Sequence, residues 1–143
     1  MGWCDHSAVI ARRQLPRPFE LFDISGEVVD SGMRVHSLLG PGLLESAYVL
    51  CVAHELRLRG LRVELQVPVP LCYEGLRVPA AYRIDMLVER AVIVEVKVVR
   101  ALHPIHHAQL LSYLKLTNVR LGLLINFSVV HLRDGIKRLA NDL

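Results

Sequence analysis

Hydrophobic spacing places two helices in the first part of the chain. From Ile24 to Leu39 the apolar residues recur at helical intervals, and Gly40-Pro41-Gly42 ends the segment. Ser25 is the candidate N-cap of this first helix. A second helix is predicted from Leu43 to Arg59, because Gly60 stands where a left-handed residue commonly follows a helix.

The middle of the chain has the alternation and the β-branched content of strands. Pro68 and Pro70 restrict the first of these strands to a sheet edge or to a bent pair, because proline cannot donate a hydrogen bond to a neighbouring strand. Turns are expected at Glu74-Gly75 and Glu89-Arg90. The predicted strands are Leu61–Tyr73, Arg77–Val88 and Val92–Val99.

The last part of the chain predicts one more helix and one buried strand. The helix opens at Leu102-His103-Pro104, with proline in the first turn, and ends near Leu116. The apolar run Val119 to Phe127 is short enough for a buried strand. Periodicity does not decide whether His131 to Leu143 forms a strand or a short helix. The predicted order, α-α-β-β-β-α-β, indicates an α/β sandwich.

Length and composition describe one ordinary globular domain. The chain has 143 residues, of which 52% are hydrophobic and 22% charged. Residues 1–22 lack periodicity and contain two prolines, so we predict a loosely ordered N-terminal arm followed by a single domain over 23–143. The net charge of +3 is compatible with a polyanionic partner without establishing one.

The cysteines and the hydropathy exclude several classes of protein. The three cysteines are far apart and form no C-x-x-C pair, so zinc ribbons, four-cysteine iron–sulfur sites and disulfide scaffolds lack support. We expect reduced thiols and a cytoplasmic location. No apolar stretch reaches the roughly 18 residues needed to span a bilayer, so no membrane association is predicted.

Polar residues inside the apolar elements are the candidates for chemistry. Glu95 and Lys97 share one face of a predicted strand, about 7 Å apart along it. Burying such ions costs several kcal/mol each, on the order found in real proteins, unless a partner compensates. A divalent metal is one such partner, and Asp85 on the preceding strand would complete its acidic side. The full candidate set is Glu45, Asp85, Glu95, Lys97, Gln109 and Tyr113.

Three motifs in order carry a family resemblance. Asp85, nine further residues and then Glu95-Val96-Lys97 resemble the active-site signature of the PD-(D/E)XK nuclease superfamily, although Ile84 replaces the proline. The segment Gly42–Tyr48 spells G-x-x-E-x-x-Y and resembles the small bacterial family named after that motif, which is classed within the superfamily. Gln109–Tyr113 is similar to the Q-x-x-x-Y helix of its exonuclease branches. The resemblance covers roughly residues 24–139.

The resemblance implies an α/β fold with a restriction-endonuclease-like core, in which a mixed central β-sheet is flanked by helices. It also implies metal-dependent hydrolysis of phosphodiester bonds, in DNA more than in RNA. Mg²⁺ or Mn²⁺ would be held by the carboxylates of Glu45, Asp85 and Glu95, with the Val96 carbonyl as a further ligand. The metal would lower the pKa of a bound water and offset charge on the phosphate.

The same resemblance assigns roles to the remaining polar residues. Lys97 would orient the nucleophile or stabilise the developing negative charge. Gln109 and Tyr113 lie one helical turn apart, and they would steady Lys97 or the scissile phosphate. Tyr48 is interpreted as a packing residue.

Each assignment has a simpler alternative. Glu95 with Lys97 could form a plain ion pair, and Asp85 could cap the turn at Glu89-Arg90. Glu45 could be an acid favoured only by the helix dipole. Gln109 and Tyr113 are also compatible with a surface position, and the histidines of the last helix lack an evident third metal ligand.

A different class of function is also compatible with these residues. The chain could be a catalytically inactive nuclease-fold module that binds nucleic acid or another protein, as a homodimer or in a larger assembly. A role in DNA repair, or in defence against invading nucleic acid, is a further possibility.

Overall fold

A computed structural model describes residues 20–141 and is organised around one five-stranded sheet. The strands are β1 (Val63–Tyr73), β2 (Leu76–Val88), β3 (Val92–Lys97), β4 (Leu121–Asn126) and β5 (Ile136–Ala140). The helices are α1 (Leu21–Leu39), α2 (Glu45–Leu58) and α3 (Pro104–Thr117), and a short 3₁₀ helix (Leu132–Gly135) precedes β5. The predicted arm over 1–22 lies outside the described residues except at its end, where Leu21 and Phe22 begin α1.

The strands follow one another across the sheet in the order β1-β2-β3-β4-β5. Neighbours are antiparallel except β3 and β4, which are parallel and joined by α3. The predicted α/β fold with a mixed sheet flanked by helices is therefore confirmed. The parallel pair runs in register to Lys97 opposite Asn126, so β3 and β4 end at the same edge of the sheet.

Two hydrophobic clusters cover the two faces of the sheet. Val92, Val94 and Val96 of β3 pack with residues of α1 and α2, whereas Ile93 packs with Leu110 of α3. This division follows from the alternation of side chains along a strand. Glu95 belongs to the α3 face by the same alternation. The strand that carries the candidate residues is thus covered on both sides, as its apolar sequence predicts.

Most predicted boundaries agree with the structure within a few residues. β1 is an edge strand, as Pro68 and Pro70 indicate. Glu89 and Arg90 have φ of 52° and 50°, so both adopt the left-handed conformation of a tight hairpin. The undecided segment after His131 contains both elements, first the 3₁₀ helix and then β5.

The prediction that Ser25 caps the first helix is wrong. α1 begins at Leu21 with Glu20 as its N-cap, and the Glu20 N–H donates to the Asp23 carboxylate at 3.1 Å. This reciprocal side-chain bonding satisfies N–H groups at the helix start and extends the helix beyond Ser25. Ser25 is fully buried inside the helix, and its hydroxyl donates to the Phe22 carbonyl.

The expectation of reduced thiols is only partly correct. Cys51 is a free cysteine. Cys72 is disulfide-bonded, so the expectation is wrong for this residue. Over residues 20–141, no helix is both long and apolar enough to cross a membrane.

Gly135 allows the 3₁₀ helix to approach the end of β4. A Cβ at this position would lie 2.2 Å from the Asn126 carbonyl oxygen, whereas a Cβ at Gly26 in α1 would meet nothing within 4 Å. We expect Gly135→Ala to lower the free energy of unfolding by about 1–3 kcal/mol through overpacking. Gly26→Ala should raise it by up to about 1 kcal/mol, because alanine favours helix. Urea denaturation of both variants tests this, and equal effects would contradict it.

Candidate functional site

Two carboxylates bridge β2 and β3 where their backbone pairing stops. The paired positions end at Met86 opposite Val94. Beyond that pair, the Asp85 N–H donates to Glu95 Oε1 at 3.1 Å. In return, the Val96 N–H donates to Asp85 Oδ2 at 3.0 Å. Side chains therefore satisfy two N–H groups that the neighbouring strand would otherwise bind.

β2 is irregular at the residue that makes this bridge. Ile84 and Leu87 both pack on the α3 side of the sheet, whereas Met86 packs on the other side, so the simple alternation breaks between Ile84 and Met86. On β1, Leu65 pairs with Met86 and Val67 with Ile84, and the residue between them, Gln66, has φ of 53°. Such irregularities commonly re-aim a side chain at functional sites. Asp85 does not cap the turn at residues 89–90, because its carboxylate is bonded to Val96 instead.

Tyr48 holds the loop that leads into α2 and to Glu45. Its hydroxyl donates to the Gly40 carbonyl and accepts a bond from the Leu43 N–H at 3.1 Å. The ring is fully buried and stacks on Phe127 at a centroid distance of 4.4 Å. Tyr48 is therefore a packing residue, as predicted, and it also fixes the loop before Glu45.

The three carboxylates interact electrostatically. Burial, followed by the negative charge of Asp85, raises the pKa of Glu95 to about 8. Partial burial, followed by the charge of Asp85, also raises the pKa of Glu45. Lys97 opposes both shifts without cancelling them. Glu45, the first residue of α2, therefore lies within the field of Asp85.

Lys97 is half-buried at the end of β3. Among residues 20–141 its ammonium forms no ion pair within 4.0 Å, so the simple Glu95–Lys97 ion pair is not present.

Asn126 holds the segment that follows β3, because its side chain bonds both the N–H and the carbonyl of Val99. Asn126 was missed as a candidate. Its only signal in the sequence is a polar residue directly after an apolar strand.

The two polar residues predicted on α3 have different surroundings. Burial, followed by the charges of Glu95 and Asp85, raises the pKa of Tyr113, so its ring lies within their field. Gln109 is exposed, and its side chain makes no hydrogen bond within the described part of the chain. No hydrogen bond among the described residues therefore supports the predicted role of Gln109.

Tyr82 was also missed by the sequence analysis. Its ring stacks on Tyr113 at a centroid distance of 4.3 Å. Its hydroxyl is buried and has no hydrogen-bond partner among residues 20–141, and burial raises the pKa of Tyr82 to about 12.

The first turn of α3 lies near Lys97. His103 is the N-cap, and its Nδ1 accepts from the Ile105 N–H at 3.1 Å. His106 Nδ1 accepts from the His103 N–H at 3.0 Å. Burial, followed by the charge of Lys97, lowers the pKa of His106. These histidines therefore cap the start of the helix, and Lys97 is the positive charge beside them.

The donor set suits a hard divalent cation, although it is not arranged as a complete metal site. Over residues 20–141, no group of three or more His, Cys, Asp or Glu side chains has a metal-holding arrangement. Asp85 and Glu95 each use one oxygen in the bridge and keep a second. Mutual repulsion between acids favours a cation among them, and carboxylate oxygen is the donor that Mg²⁺ prefers. A cleft of about 250 Å³ lies between Glu45 and Asp85, with Val49 and Leu65 among its walls.

Comparison with known proteins gives one match. The family model described as the PD-(D/E)XK nuclease superfamily matches residues 22–139. This range includes every candidate residue of the site. Searches of curated proteins and of solved structures gave no match.

The raised pKa of Glu95 predicts a pH-dependent stability without divalent ions. The folded state holds a proton on Glu95 between its ordinary pKa of 4.5 and about 8, whereas the unfolded state has released it. The free energy of unfolding should therefore fall as pH rises through this window, by at most about 1.4 kcal/mol per pH unit from this group. Urea denaturation in EDTA across this range measures the slope.

The matched variants are Glu95→Gln and Glu74→Gln. Glutamine keeps the shape and the acceptor oxygen at position 95 but does not titrate, so the slope should decrease. Glu74 is exposed in the turn between β1 and β2, and its variant should keep the wild-type slope. An unchanged slope in Glu95→Gln would show that this carboxylate is not the responsible group.

The unpartnered hydroxyl of Tyr82 gives a second stability prediction. Tyr82→Phe should raise the free energy of unfolding by about 1 kcal/mol, because a buried hydroxyl without a partner costs about that much or more. Tyr82→Leu should lower it, because the stacking on Tyr113 is lost. Thermal denaturation of both variants tests this, and a destabilised Tyr82→Phe would mean that the hydroxyl has a partner in solution.

Proposed function

We propose that this chain, which belongs to the PD-(D/E)XK nuclease superfamily, hydrolyses phosphodiester bonds of nucleic acid, with DNA preferred to RNA. The observation that carries the proposal is the bridge in which Asp85 and Glu95 each bond the backbone of the other's strand region. Lys97 follows on the same face of β3, so acid and base lie together at one edge of the sheet.

Mg²⁺ or Mn²⁺ is the proposed cofactor. The free oxygens of Asp85 and Glu95 would hold it, with the Val96 carbonyl as a further ligand. Glu45, at the start of α2, would be the third acid, because its carboxylate already interacts electrostatically with Asp85 and Lys97. When bound, such an ion lowers the pKa of a coordinated water and neutralises charge on the phosphate.

The protein groups around this position have separate tasks in the proposal. Lys97 is half-buried and unpaired within residues 20–141, so its ammonium can hold a proton-bearing nucleophile or a phosphoryl oxygen. The stacked ring of Tyr113 limits water on the α3 side. Gln109 would contact the substrate from the exposed surface of α3, since its side chain makes no hydrogen bond within residues 20–141.

Membership in the smaller G-x-x-E-x-x-Y family is part of the proposal. The bonds of Tyr48 to the Gly40–Leu43 loop give the motif a physical meaning, because its tyrosine places its glutamate. A cytoplasmic location, a homodimer or larger assembly, and a role in DNA repair or defence stay predictions.

The second candidate function is a catalytically inactive module that binds nucleic acid or protein. One observation favours it: within residues 20–141 the acids do not form a complete metal-holding group. In an inactive module no cation would bind beside Glu95, and its pKa would stay raised.

Cleavage by purified protein tests the first proposal. With Mg²⁺ or Mn²⁺ and mixed DNA and RNA substrates, the wild-type chain should cleave, and EDTA should abolish cleavage. Asp85→Asn, Glu95→Gln and Lys97→Met should each lower kcat by about 10²-fold or more, the order found when a group that stabilises a transition state is removed. Gel electrophoresis of labelled substrates measures the rates.

Glu74→Gln and Lys115→Met serve as surface controls and should keep wild-type activity. Cleavage that survives Asp85→Asn or Lys97→Met would have to come from a contaminant. Calorimetric titration with Mn²⁺ separates the two candidate functions. Uptake lost in Asp85→Asn supports the nuclease, and no uptake by the folded wild-type protein supports the inactive module.

A further inference from the structure

We propose that a basic groove between the end of α1 and the segment after β4 binds the phosphate backbone of the nucleic acid next to the candidate site. This inference rests on the proposed function, because it names where the substrate of that site continues. The groove has a volume of about 790 Å³. Its basic side chains are Arg34, His36, His131 and Arg133.

The charge of this basic groove favours a polyanion. Among the described residues that line it there is no carboxylate. Arg133 is exposed, and its guanidinium has no ion pair or hydrogen bond within residues 20–141. The Arg34 side chain is 60% exposed, and within residues 20–141 its one ion pair runs from Nε to Glu55 at 3.5 Å, which leaves its terminal nitrogens available. Guanidinium groups match the geometry of phosphate oxygens.

His36 joins the basic groove to the core of the protein. His36 is buried, and its Nε2 lies 2.9 Å from the Val129 carbonyl oxygen, so this nitrogen carries the hydrogen. The ring also lies beside Phe127. Arg34 lies on α1 and Arg133 on the 3₁₀ helix, so both arginines of the groove belong to regular secondary structure.

A short series of contacts connects the basic groove with the candidate site. Phe127, which contacts His36, stacks on Tyr48, and its N–H donates to the Lys97 carbonyl at 2.9 Å. Gly40 belongs to the groove lining and is bonded by the Tyr48 hydroxyl, and the same loop leads to Glu45. The basic groove and the candidate site thus both lie at the edge of the sheet where β3 and β4 end. A strand cleaved beside Lys97 could continue over this loop into the groove.

Charge reversal tests the basic groove. Arg133→Glu and Arg34→Glu should each weaken binding of fluorescein-labelled DNA about tenfold or more. Each should also reduce the slope of log Kd against log[NaCl] by about the contribution of one phosphate contact. Arg138→Glu on β5 is the matched control, because Arg138 is exposed and outside the groove lining. It should stay within about twofold of wild type. Anisotropy titrations over a range of NaCl concentrations measure these values.

Arg34→Gln accompanies Arg34→Glu, because the charge reversal also places a second acid beside Glu55. Circular dichroism and urea denaturation check that each variant is folded. The proposal is overturned if folded Arg133→Glu and Arg34→Gln both keep the wild-type Kd for DNA and its salt dependence. It is also overturned if Arg138→Glu weakens DNA binding as much as the groove variants do. A changed oligomeric state with unchanged Kd, measured by sedimentation, would overturn it in favour of an interface between two copies.

Cleavage assays on the same variants separate this inference from the proposed function. Groove-dependent DNA binding without any Mg²⁺- or Mn²⁺-dependent cleavage supports the groove and contradicts the nuclease. Cleavage with KM and Kd unchanged in the groove variants supports the nuclease and contradicts the groove. If both hold, the arginine variants should raise KM with little change in kcat, because they act on binding.

Discussion

The site depends on the exchange of hydrogen bonds between Asp85 and the Glu95-Val96 pair, because this exchange joins β2 to β3 where backbone pairing has ended. It places two carboxylates close together and leaves Glu95 only 6% exposed. Burial and repulsion both disfavour the second negative charge, which the raised pKa of Glu95 reflects. A position of this kind is stabilised by a proton or by a cation, and a divalent ion satisfies both acids at once.

The hydrophobic core positions the remaining part of the site. Tyr48 and Phe127 are fully buried and stacked, so they belong to the packing of α2 against the sheet. Yet the Tyr48 hydroxyl fixes the loop before Glu45, and the Phe127 N–H bonds the Lys97 carbonyl. Core residues therefore set the relative positions of the acid on α2 and the base on β3. A substitution there would disturb stability and site geometry together.

Much of the fold could be predicted from local patterns. The edge position of β1 follows from its two prolines, and the hairpin at Glu89-Arg90 follows from a polar interruption between apolar runs. The start of α1 was misjudged, because Ser25 is a good cap by type, whereas the Glu20–Asp23 pair makes the bonds. The state of Cys72 could not be predicted either, since pairing depends on distances between remote residues.

For the site, the sequence alone determined which residues are unusual: acids and a lysine inside apolar strands, and a glutamate between a glycine and a tyrosine at fixed spacing. Burial penalties act on such residues wherever the strands lie, so this signal is local. Only the tertiary structure decided that Asp85 and Glu95 bond each other's strand regions, that Tyr82 supports Tyr113, and that Gln109 remains exposed. These contacts join residues distant in the chain, so strand register and helix packing set them rather than spacing along one element.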